Sequence, residues 1–542
     1  MAVRLTTPQL VEQMKGRDTL NGWDVLVSYN EAQVNALLDK RAQALQALTQ
    51  NVSFTVNVQD DFDDTQSETY GYNLSLSSPK LRFSGPNGKI QLTFALTGSQ
   101  SKGELTKIIP QNQFQVKIGA SLANVRGELD DPSSKTADFK PAADAEKTKT
   151  PPNYVTLMPK QGNAAQGVCI DFKDPDMGVE IVWADSSKKT GIPDVMFKVG
   201  ERLKKHFQDS LGLKYYIAGM SNAYDAGTGS TLLQPRKFCF SCTAGTAQDG
   251  SDGTLSIWVI LDKGNDGQAQ ESSGKTSLTF HPSDADVHPI PLESNATVIF
   301  SHKVIGEYLS KAIAEKGTYD DCRLKLTPNE AGLTVLGKCK QKVQKSMKDF
   351  RGFQTGWKIG QYVLLSDLSF DMHATDTEFT LTKDGPSALE VKYDSGVQTL
   401  SWFRTTITGG IPEDKKVRLR FKHGGKANWV EVNNEKRPNL LKLSFDMPKQ
   451  FEVTDKDATG KILFWDIDHV EIPEPYKDVS VSLTEMDFDL RGLDYFLTTN
   501  LILPGAKMFI ADQTKPDDSK THGLFVPRDV LLTGKIADLE SL

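Results

Sequence analysis

Histidine and cysteine are the residues of this sequence best suited to hold a metal or carry redox chemistry. The eight histidines are scattered, and none has the HExxH spacing or a cysteine partner at the spacing of a zinc site. Residues 238–242 contain a CxxC pattern, but they read as a strand, which would turn Cys239 and Cys242 to opposite faces. The spacing therefore predicts no metal site and no cofactor.

Acidic residues are the other chemical candidates. The cluster formed by Asp60, Asp61, Asp63 and Asp64 could in principle bind calcium, but it lacks the glycine and the distal glutamate of an EF-hand loop. A solvated loop is the favoured interpretation. Because there is also no G-x-S-x-G, P-loop or dinucleotide fingerprint, we expect a protein that is not an enzyme.

Two cysteines flank a turn-like segment, residues 328–332. A hairpin folded there would place Cys322 opposite Cys339. A disulfide closing this loop would contribute about 3 kcal/mol in the chain-entropy model. The favoured interpretation is a pair of free thiols on neighbouring strands, because nothing else in the sequence argues for export.

Length and charge restrict the class of protein. The 542 residues exceed one ordinary core, which indicates two or more domains or one long body. The net charge is −7 and there is no basic stripe, so nucleic acid is not an expected partner. No apolar run reaches the roughly 18–20 residues of a membrane span, and the first residues lack a signal-peptide core. We expect a soluble protein, cytoplasmic in the producing cell or released without a cleaved signal, with transient contact to a membrane surface still open.

Alternating apolar and polar residues recur throughout the chain, for example at 52–58, 90–97 and 441–447. Since successive side chains of a strand point to opposite faces, this pattern predicts mostly β structure, in antiparallel sheets that each bury one face. Amphipathic helices interrupt the strands at about 30–48, 193–211 and 304–313. The segment 126–153 has almost no large apolar residue, and we expect a mobile loop there.

A strand, a capping residue, an amphipathic helix and a series of strands occur twice, which indicates a weak internal repeat. In the first unit, Ser28 and Glu31 fit a capping box. In the second, Ser301 is the expected cap. The proline-rich segment 288–295 precedes the second unit and suits a junction between two lobes.

Several segments resemble the accessory proteins encoded beside orfX-type botulinum neurotoxin genes, namely the OrfX proteins and their forty-seven-kilodalton companion. The segments, spread over nearly the whole chain, are residues 21–25, 233–238, 255–259, 295–301, 499–505 and 523–529. The resemblance implies a bacterial protein of a toxin or insecticidal gene cluster with a tubular lipid-binding (TULIP) fold. Such a fold wraps a strongly curved antiparallel sheet around a long helix. At 59.8 kDa the chain is larger than that companion, and no catalytic motif is available to transfer.

The resulting expectation is an elongated α+β protein of two TULIP-like lobes, residues 1–290 and 291–542. The leading hypothesis is binding of a lipid or another elongated apolar ligand in an apolar groove. The alternative is a protein–protein scaffold of a toxin cluster, with a sealed core and no ligand. If a groove exists, its expected lining is Val34, Leu38, Leu45 and Phe54 in the first lobe and Ile305, Leu309 and Leu324 in the second.

Overall fold

Antiparallel sheets make up most of the computed structural model, which confirms the mostly β fold class expected from the sequence pattern. The structure describes residues 3–59, 67–85, 88–130, 138–158, 164–185, 187, 192–222, 233–245, 253–261, 278, 280–283, 286–315, 317–326, 331–345, 352–354, 361–365, 368–381, 387–406, 413–431, 441–446, 449–455, 461–462, 465–466, 488–489, 501–504, 507–512 and 523–538. Beyond residue 342, side chains are described at 371–381, 390–396, 422, 501–504, 509–512 and 523–537. The aspartate cluster at 60–64 lies outside the described residues.

The first half consists of runs of strands separated by a few helices. The α-helices of the described residues are α1 (Thr7–Met14), α2 (Glu31–Ala44), α3 (Ala145–Thr148), α4 (Val195–His206) and, in the second half, α5 (His302–Glu315). The first-half strands are β1 (Val25–Asn30), β2 (Val52–Gln59), β3 (Ser67–Leu76), β4 (Lys80–Phe83), β5 (Lys89–Lys102), β6 (Leu105–Leu129), β7 (Phe139–Pro141), β8 (Thr156–Leu157), β9 (Ala164–Asp171), β10 (Gly178–Trp183), β11 (Tyr216–Ser221), β12 (Pro235–Thr243) and β13 (Thr254–Leu261).

The second half begins with another central strand and continues almost entirely as strands. They are β14 (Ala296–Phe300), β15 (Tyr319–Lys325), β16 (Leu333–Cys339), β17 (Lys342–Lys345), β18 (Gly352–Gln354), β19 (Gln361–Leu365), β20 (Leu368–Asp371), β21 (Thr377–Leu381), β22 (Ser387–Thr406), β23 (Glu413–Glu431), β24 (Leu441–Asp446), β25 (Lys449–Asp455), β26 (Lys461–Ile462), β27 (Trp465–Asp466), β28 (Phe488–Asp489), β29 (Leu501–Ile502), β30 (Lys507–Ala511), β31 (Leu524–Phe525) and β32 (Val530–Asp538).

A central sheet joins the two halves of the chain, in the order β30-β32-β14-β1-β13-β12-β8. It is apolar on both faces, so β1 is buried at every residue. One face, with Val25 and Val27, belongs to the main hydrophobic core. The other face, with Leu26 and Trp258, packs against α1 in a separate cluster. The strict period of two within β1 explains why alternate residues enter different cores.

Two further sheets carry the long hairpins. The N-terminal sheet has the order β2-β3-β5-β6-β9-β11-β29, with β4 on β5 and with β7 and β10 on β6. The C-terminal sheet has the order β15-β16-β21-β22-β23-β24-β28. The alternation of β5 places Ile90, Leu92, Phe94 and Leu96 in the main core. The central sheet contains strands from both predicted lobes, and the lobe boundaries at 290 and 291 stay a prediction.

The first strand–helix junction differs from the sequence expectation. Ser28 is not a helix cap: it lies within β1 and its Oγ is 3.1 Å from Ser256 Oγ. The cap is Asn30, whose Oδ1 accepts a hydrogen bond from the Gln33 amide at 3.0 Å. The reason is that β1 pairs with β13 as far as Asn30 and with β14 as far as Tyr29, which carries the strand beyond Ser28. At the second junction Ser301 Oγ accepts from the Val304 amide, as expected.

The segment 126–153, expected to be a loop, contains regular structure. β6 continues to Leu129, β7 pairs with it at residues 139–141, and α3 follows. Arg126 bonds both carboxylate oxygens of Asp144, at 2.9 and 3.0 Å. Expecting a loop here was wrong because strand pairing, an ion pair and the burial of Leu129 and Phe139 in a hydrophobic cluster supply the order. Residues 131–137 lie outside the described residues, and mobility of the segment stays a prediction.

Candidate functional site

Helix α2 is attached to β4 through one polar face. Glu31, Asn35 and Asp39 are spaced four residues apart and therefore lie on one side of the helix. The Asn35 amide group donates to Leu81 O at 3.0 Å and accepts from the Leu81 amide at 2.7 Å. Glu31 Oε2 accepts from the Phe83 amide at 3.1 Å. These side chains take the place of a second strand partner, at the edge of β4 that does not pair with β5.

The C-terminal end of α2 is fixed by a buried charge. Arg41 donates to Asp138 Oδ2 at 2.7 Å and to Lys214 O at 2.9 Å, and its guanidinium lies 5.0 Å from the centre of the Tyr216 ring. The Tyr216 hydroxyl donates to Asp138 Oδ1 at 2.6 Å, and burial raises the pKa of this tyrosine. The sequence analysis missed this network. The sequence feature that could have indicated the network is Arg41, a charged residue three positions after Leu38 and therefore on the apolar side of the helix.

Helix α4 lies beside β2, which is the edge strand of the N-terminal sheet. Near its start, Lys198 Nζ donates to Asn57 O at 2.9 Å. At its end, His206 Nε2 donates to Leu48 O at 2.7 Å, just before β2 begins. Side-chain hydrogen bonds at the two ends of α4 thus span this edge. We call the boundary between α4 and β2 the α4–β2 seam.

Incompletely buried apolar side chains follow this seam. Phe54 lies between the two hydrogen-bonded carbonyls and stacks on Tyr72, with ring centres 5.8 Å apart. All members of the set pack directly on the main core while keeping part of their surface in solvent. They are Leu45, Leu48, Phe54 and Val58 before or on β2, and Ile192 and Val195 at the start of α4. The seam is therefore an apolar strip that the protein itself covers only in part.

Three buried tyrosine hydroxyls of the first half have no hydrogen-bond partner among the described residues. They belong to Tyr29, Tyr72 and Tyr215. Burial raises the pKa of Tyr72 and of Tyr215 to about 12, so both hydroxyls stay protonated and can donate. An unpaired buried hydroxyl costs about 1–3 kcal/mol. Each of the three can bond a polar atom that enters the core.

The structure separates the residues predicted to line a groove. Val34 and Leu38 are fully buried in the main core, whereas Leu45 and Phe54 lie on the α4–β2 seam. Helix α4 was predicted, but its buried residues were not recognised as candidate lining although their helical spacing showed them. These are Met196, Val199, Leu203 and Phe207.

In the second half, Ile305 and Leu309 are buried on α5. Leu324, on β15, contacts this helix at Gly306, where an added Cβ would lie 2.6 Å from Leu324 Cδ1. Helix and strand are in direct contact at this level. A lining role for the seven predicted residues stays a prediction.

The cysteines are in positions that follow from strand geometry. Cys239 and Cys242 lie on β12, and they belong to different hydrophobic clusters on its two faces, as the sequence analysis expected. Cys322 and Cys339 are free thiols. They are not opposite each other: Arg323 pairs with Leu336, which places Cys322 beside Gly337, and Cys339 pairs with Tyr319. The expected facing arrangement was wrong because the hairpin has a different register from the one inferred from the spacing, with a further shift between Asp320 and Arg323.

A buried histidine–aspartate pair connects distant parts of the chain. Asp529 Oδ1 accepts from His302 Nδ1 at 2.7 Å, and Asp529 Oδ2 accepts from the amide and the hydroxyl of Thr19, both at 2.7 Å. His302 Nε2 lies 3.2 Å from Arg528 Nη2 and therefore accepts from it, since a guanidinium only donates. Both carboxylate oxygens and both ring nitrogens are engaged, so the pair serves to hold three chain segments together.

A metal would fit this pair poorly. Asp18, His302 and Asp529 place one potential ligand atom each within 4.8 Å of one another. A cation there would have to displace the donors to Asp529 and would face the Arg528 guanidinium. The arrangement is satisfied by hydrogen bonds alone.

No helix among the described residues combines the length and the hydropathy required to cross a membrane.

The chain was compared with known proteins. No family model and no curated protein matches it. Among solved structures, P47 from Clostridium botulinum A2 is similar at 12% identity, with 95% of this chain and 97% of that chain covered and a TM-score of 0.42. P47 of Clostridium botulinum E1 is similar at 9% identity, with 96% and 100% covered and a TM-score of 0.44. A lipopolysaccharide binding protein is similar at 13% identity, with 96% and 100% covered and a TM-score of 0.28.

Proposed function

We propose that the protein binds a lipid or another elongated apolar ligand along the α4–β2 seam and performs no catalytic step. The observation that carries this proposal is the strip of incompletely buried side chains, Leu45, Leu48, Phe54, Val58, Ile192 and Val195, that lies directly on the core. Covering apolar surface contributes about 25 cal/mol per Å², and about 0.8 kcal/mol for each methylene of an acyl chain. A ligand chain laid along the seam would complete the core.

The unpaired tyrosine hydroxyls support a ligand with a polar atom. Tyr72 stacks on Phe54, so its hydroxyl belongs to the same part of the core as the seam. A carboxyl, ester or phosphate oxygen can accept from a protonated phenol, which places an amphipathic lipid ahead of a pure hydrocarbon. The ligand would gain orientation from this bond and affinity from its apolar length.

We place the ligand in the first half because the incompletely buried side chains of the α4–β2 seam lie there. Leu324 contacts α5 at Gly306, which leaves no separation between helix and strand at that level. In the first half, α4 and β2 are joined at the seam by long side chains rather than by a ladder of backbone bonds. Such contacts can open locally without breaking a sheet.

The setting of this function is also a proposal. The resemblance described above suggests a bacterial toxin-associated or insecticidal gene cluster, with other cluster proteins as partners. The alternative function is a scaffold for such partners that carries no ligand.

Mass spectrometry of organic extracts from detergent-free protein tests the ligand. We expect a stoichiometric lipid in the wild-type extract and a large loss in Phe54→Arg, which places a charge on the seam. Thr55→Arg is the matched control, because Thr55 is the next residue of β2 and points to solvent. If Phe54→Arg melts early, Val58→Arg with Gln59→Arg as its control repeats the test near the end of the strand.

An empty wild-type extract, followed by no uptake of labelled lipid from vesicles, would contradict ligand binding and favour the scaffold. Equal lipid in Phe54→Arg and Thr55→Arg, with both folded, would remove the seam as the site. Circular dichroism and the melting temperature of each variant establish that the fold is kept.

A further inference from the structure

Exposed large apolar side chains gather at one end of the N-terminal sheet. Leu105 and Ile108, at the tip of the β5–β6 hairpin, are 77% and 74% exposed. Phe197, in the first turn of α4, is 69% exposed. Side chains of this size are normally buried or scattered singly over a surface. Three of them on two elements at one end require an explanation.

Strand register relates the two elements. Lys102 pairs with Leu105 across the hairpin turn, and Ser101 pairs with Gly71. Two residues further toward the hairpin tip on β3, Thr69 pairs with Asn57, whose carbonyl binds Lys198. Phe197 therefore lies at the end of α4 that is nearer to the β5–β6 turn. We call Leu105, Ile108 and Phe197 the apolar tip.

A tyrosine and a pair of oppositely charged side chains lie just below the apolar tip. Lys102 binds Glu68 at 2.6 Å and lies 5.5 Å from the centre of the Tyr70 ring, while the Tyr70 hydroxyl donates to Glu68 at 2.6 Å. This group holds one positive and one negative charge. Tyrosine and lysine, with apolar bodies and polar ends, are suited to the boundary between lipid tails and water.

We propose that the apolar tip docks the protein onto a zwitterionic phospholipid bilayer, with Leu105, Ile108 and Phe197 inserted below the headgroups. A projecting hairpin turn can enter a fluid bilayer, whereas it offers a folded partner little continuous surface. The apolar tip adjoins Val58 and Val195 of the α4–β2 seam, so a docked molecule would bring the seam against the lipid. In this respect the proposal rests on the proposed function.

Charge selects the zwitterionic bilayer over an anionic one. Glu104 and Asp194 balance Lys107 and Lys198 around the apolar tip. The whole chain carries −7. A negative surface potential would therefore repel the molecule, and the balanced charges around the apolar tip would not offset this.

Co-sedimentation of the full chain with phosphatidylcholine vesicles tests docking. We expect wild type to partition onto the vesicles, and the partition coefficient to fall about tenfold for each inserted side chain removed, in Leu105→Ser, Ile108→Ser and Phe197→Ser. The controls are Leu157→Ser and Leu326→Ser, at positions 68% and 54% exposed on other parts of the molecule. These controls should partition as wild type does.

A second experiment varies the lipid composition of the vesicles and the salt concentration. Adding phosphatidylserine should weaken binding, and raising salt should leave binding to phosphatidylcholine unchanged. Docking by the apolar tip is overturned if wild type does not sediment with phosphatidylcholine, if the controls lose as much as the tip variants, or if binding requires phosphatidylserine.

The two proposals can fail separately. Lipid supplied from a detergent micelle should load the three tip variants as well as wild type, because the seam is unchanged. Vesicle binding with an empty extract would uphold docking and remove the ligand. A protein that carries lipid but does not bind vesicles would uphold the ligand and overturn docking by the apolar tip.

Discussion

The β1–α2 unit and the β14–α5 unit share one backbone arrangement. β1 and β14 pair antiparallel with Val27 opposite Val298, so a local two-fold axis relates the two strands. The Asn30 amide donates to Asn295 O at 3.0 Å, and the Ser301 amide donates to Asp24 O at 2.8 Å. Each unit also pairs with the last long strand of its own half, β13 or β32. The repeat seen in the sequence is therefore a structural one.

The side chains that hold the two helices differ. Helix α2 is attached by hydrogen bonds from Asn35 to β4 and by the buried Arg41. Helix α5 is attached by the His302–Asp529 pair and by the close approach of Gly306 to Leu324. The first half also contains α4, which packs on β10 at Gly200 and forms the α4–β2 seam with β2. Duplicated backbone thus does not imply duplicated interior, and the proposed ligand site lies in the half that carries this seam.

The largest expected effect is a difference in the free energy of unfolding between variants at the two strand–helix junctions, β14–α5 and β1–α2. Asp529→Ala removes the acceptor for Thr19 and His302 within a buried network, and we expect a loss of about 3–5 kcal/mol of unfolding free energy. Asn30 occupies the position of the first unit that Ser301 occupies in the second. Asn30→Ala removes the helix cap and the hydrogen bond to Asn295 Oδ1, and should cost about 1–2 kcal/mol. Chemical denaturation of both variants measures the difference. Equal losses would mean that the pair at Asp529 does not hold the second junction.

The second effect is a pH dependence specific to the first unit. Burial raises the pKa of Asp24 to about 7, against the opposing effect of the hydrogen bond from the Leu261 amide. Because the pKa is higher in the folded state, the proton's contribution to stability is fully present below about pH 4 and lost as pH rises to about 7. Asn295 stands at the equivalent position of the second unit. Asp24→Asn should therefore be more stable than wild type above pH 7, by up to about 4 kcal/mol.

Denaturation midpoints of Asp24→Asn and wild type, measured from about pH 4 to above pH 7, check the sign of the difference in stability. The asparagine side chain introduced by Asp24→Asn can still accept from the Leu261 amide, so the structure should be kept. A constant difference between this variant and wild type at every pH would show that Asp24 does not titrate there.

The smallest effect compares glycines in the two helices. At Gly306 of α5 an added Cβ would lie 2.6 Å from Leu324 Cδ1, whereas at Gly200 of α4 the nearest atom is Val179 O at 3.4 Å. Gly200→Ala should gain up to about 1 kcal/mol from helix propensity. Gly306→Ala should lose about 1–2 kcal/mol, because the clash exceeds that gain. Adding Leu324→Ala should reduce the clash term in a double-mutant cycle; no coupling would mean that α5 is not tightly packed there.

Local patterns predicted much of the fold. Alternation identified strands such as β2 and β5, and helical spacing identified α4 and α5 with the Ser301 cap. Ser28 was assigned wrongly as a cap because its local motif competes with pairing by β13 and β14, which are far away in sequence. The bulge at Asp320–Arg323 had no signal in the spacing of Cys322 and Cys339.

The candidate site was less accessible to sequence reasoning. Burial of Val34 and Leu38 follows from the apolar stripe of α2, but the stripe does not show which residues face a second helix. The bond from Lys198 to Asn57 joins residues 141 positions apart. Contacts of this kind depend on how the sheet brings its edge to α4, which no local pattern records.

Photo-crosslinking with a diazirine fatty acid tests the central proposal, that the first half holds the ligand along the α4–β2 seam. After loading and irradiation, mass spectrometry of the digested protein locates the labelled peptides. We predict label on residues 45–58 and 192–207, along the α4–β2 seam. Label confined to residues 302–325, on α5 and β15, would contradict the assignment.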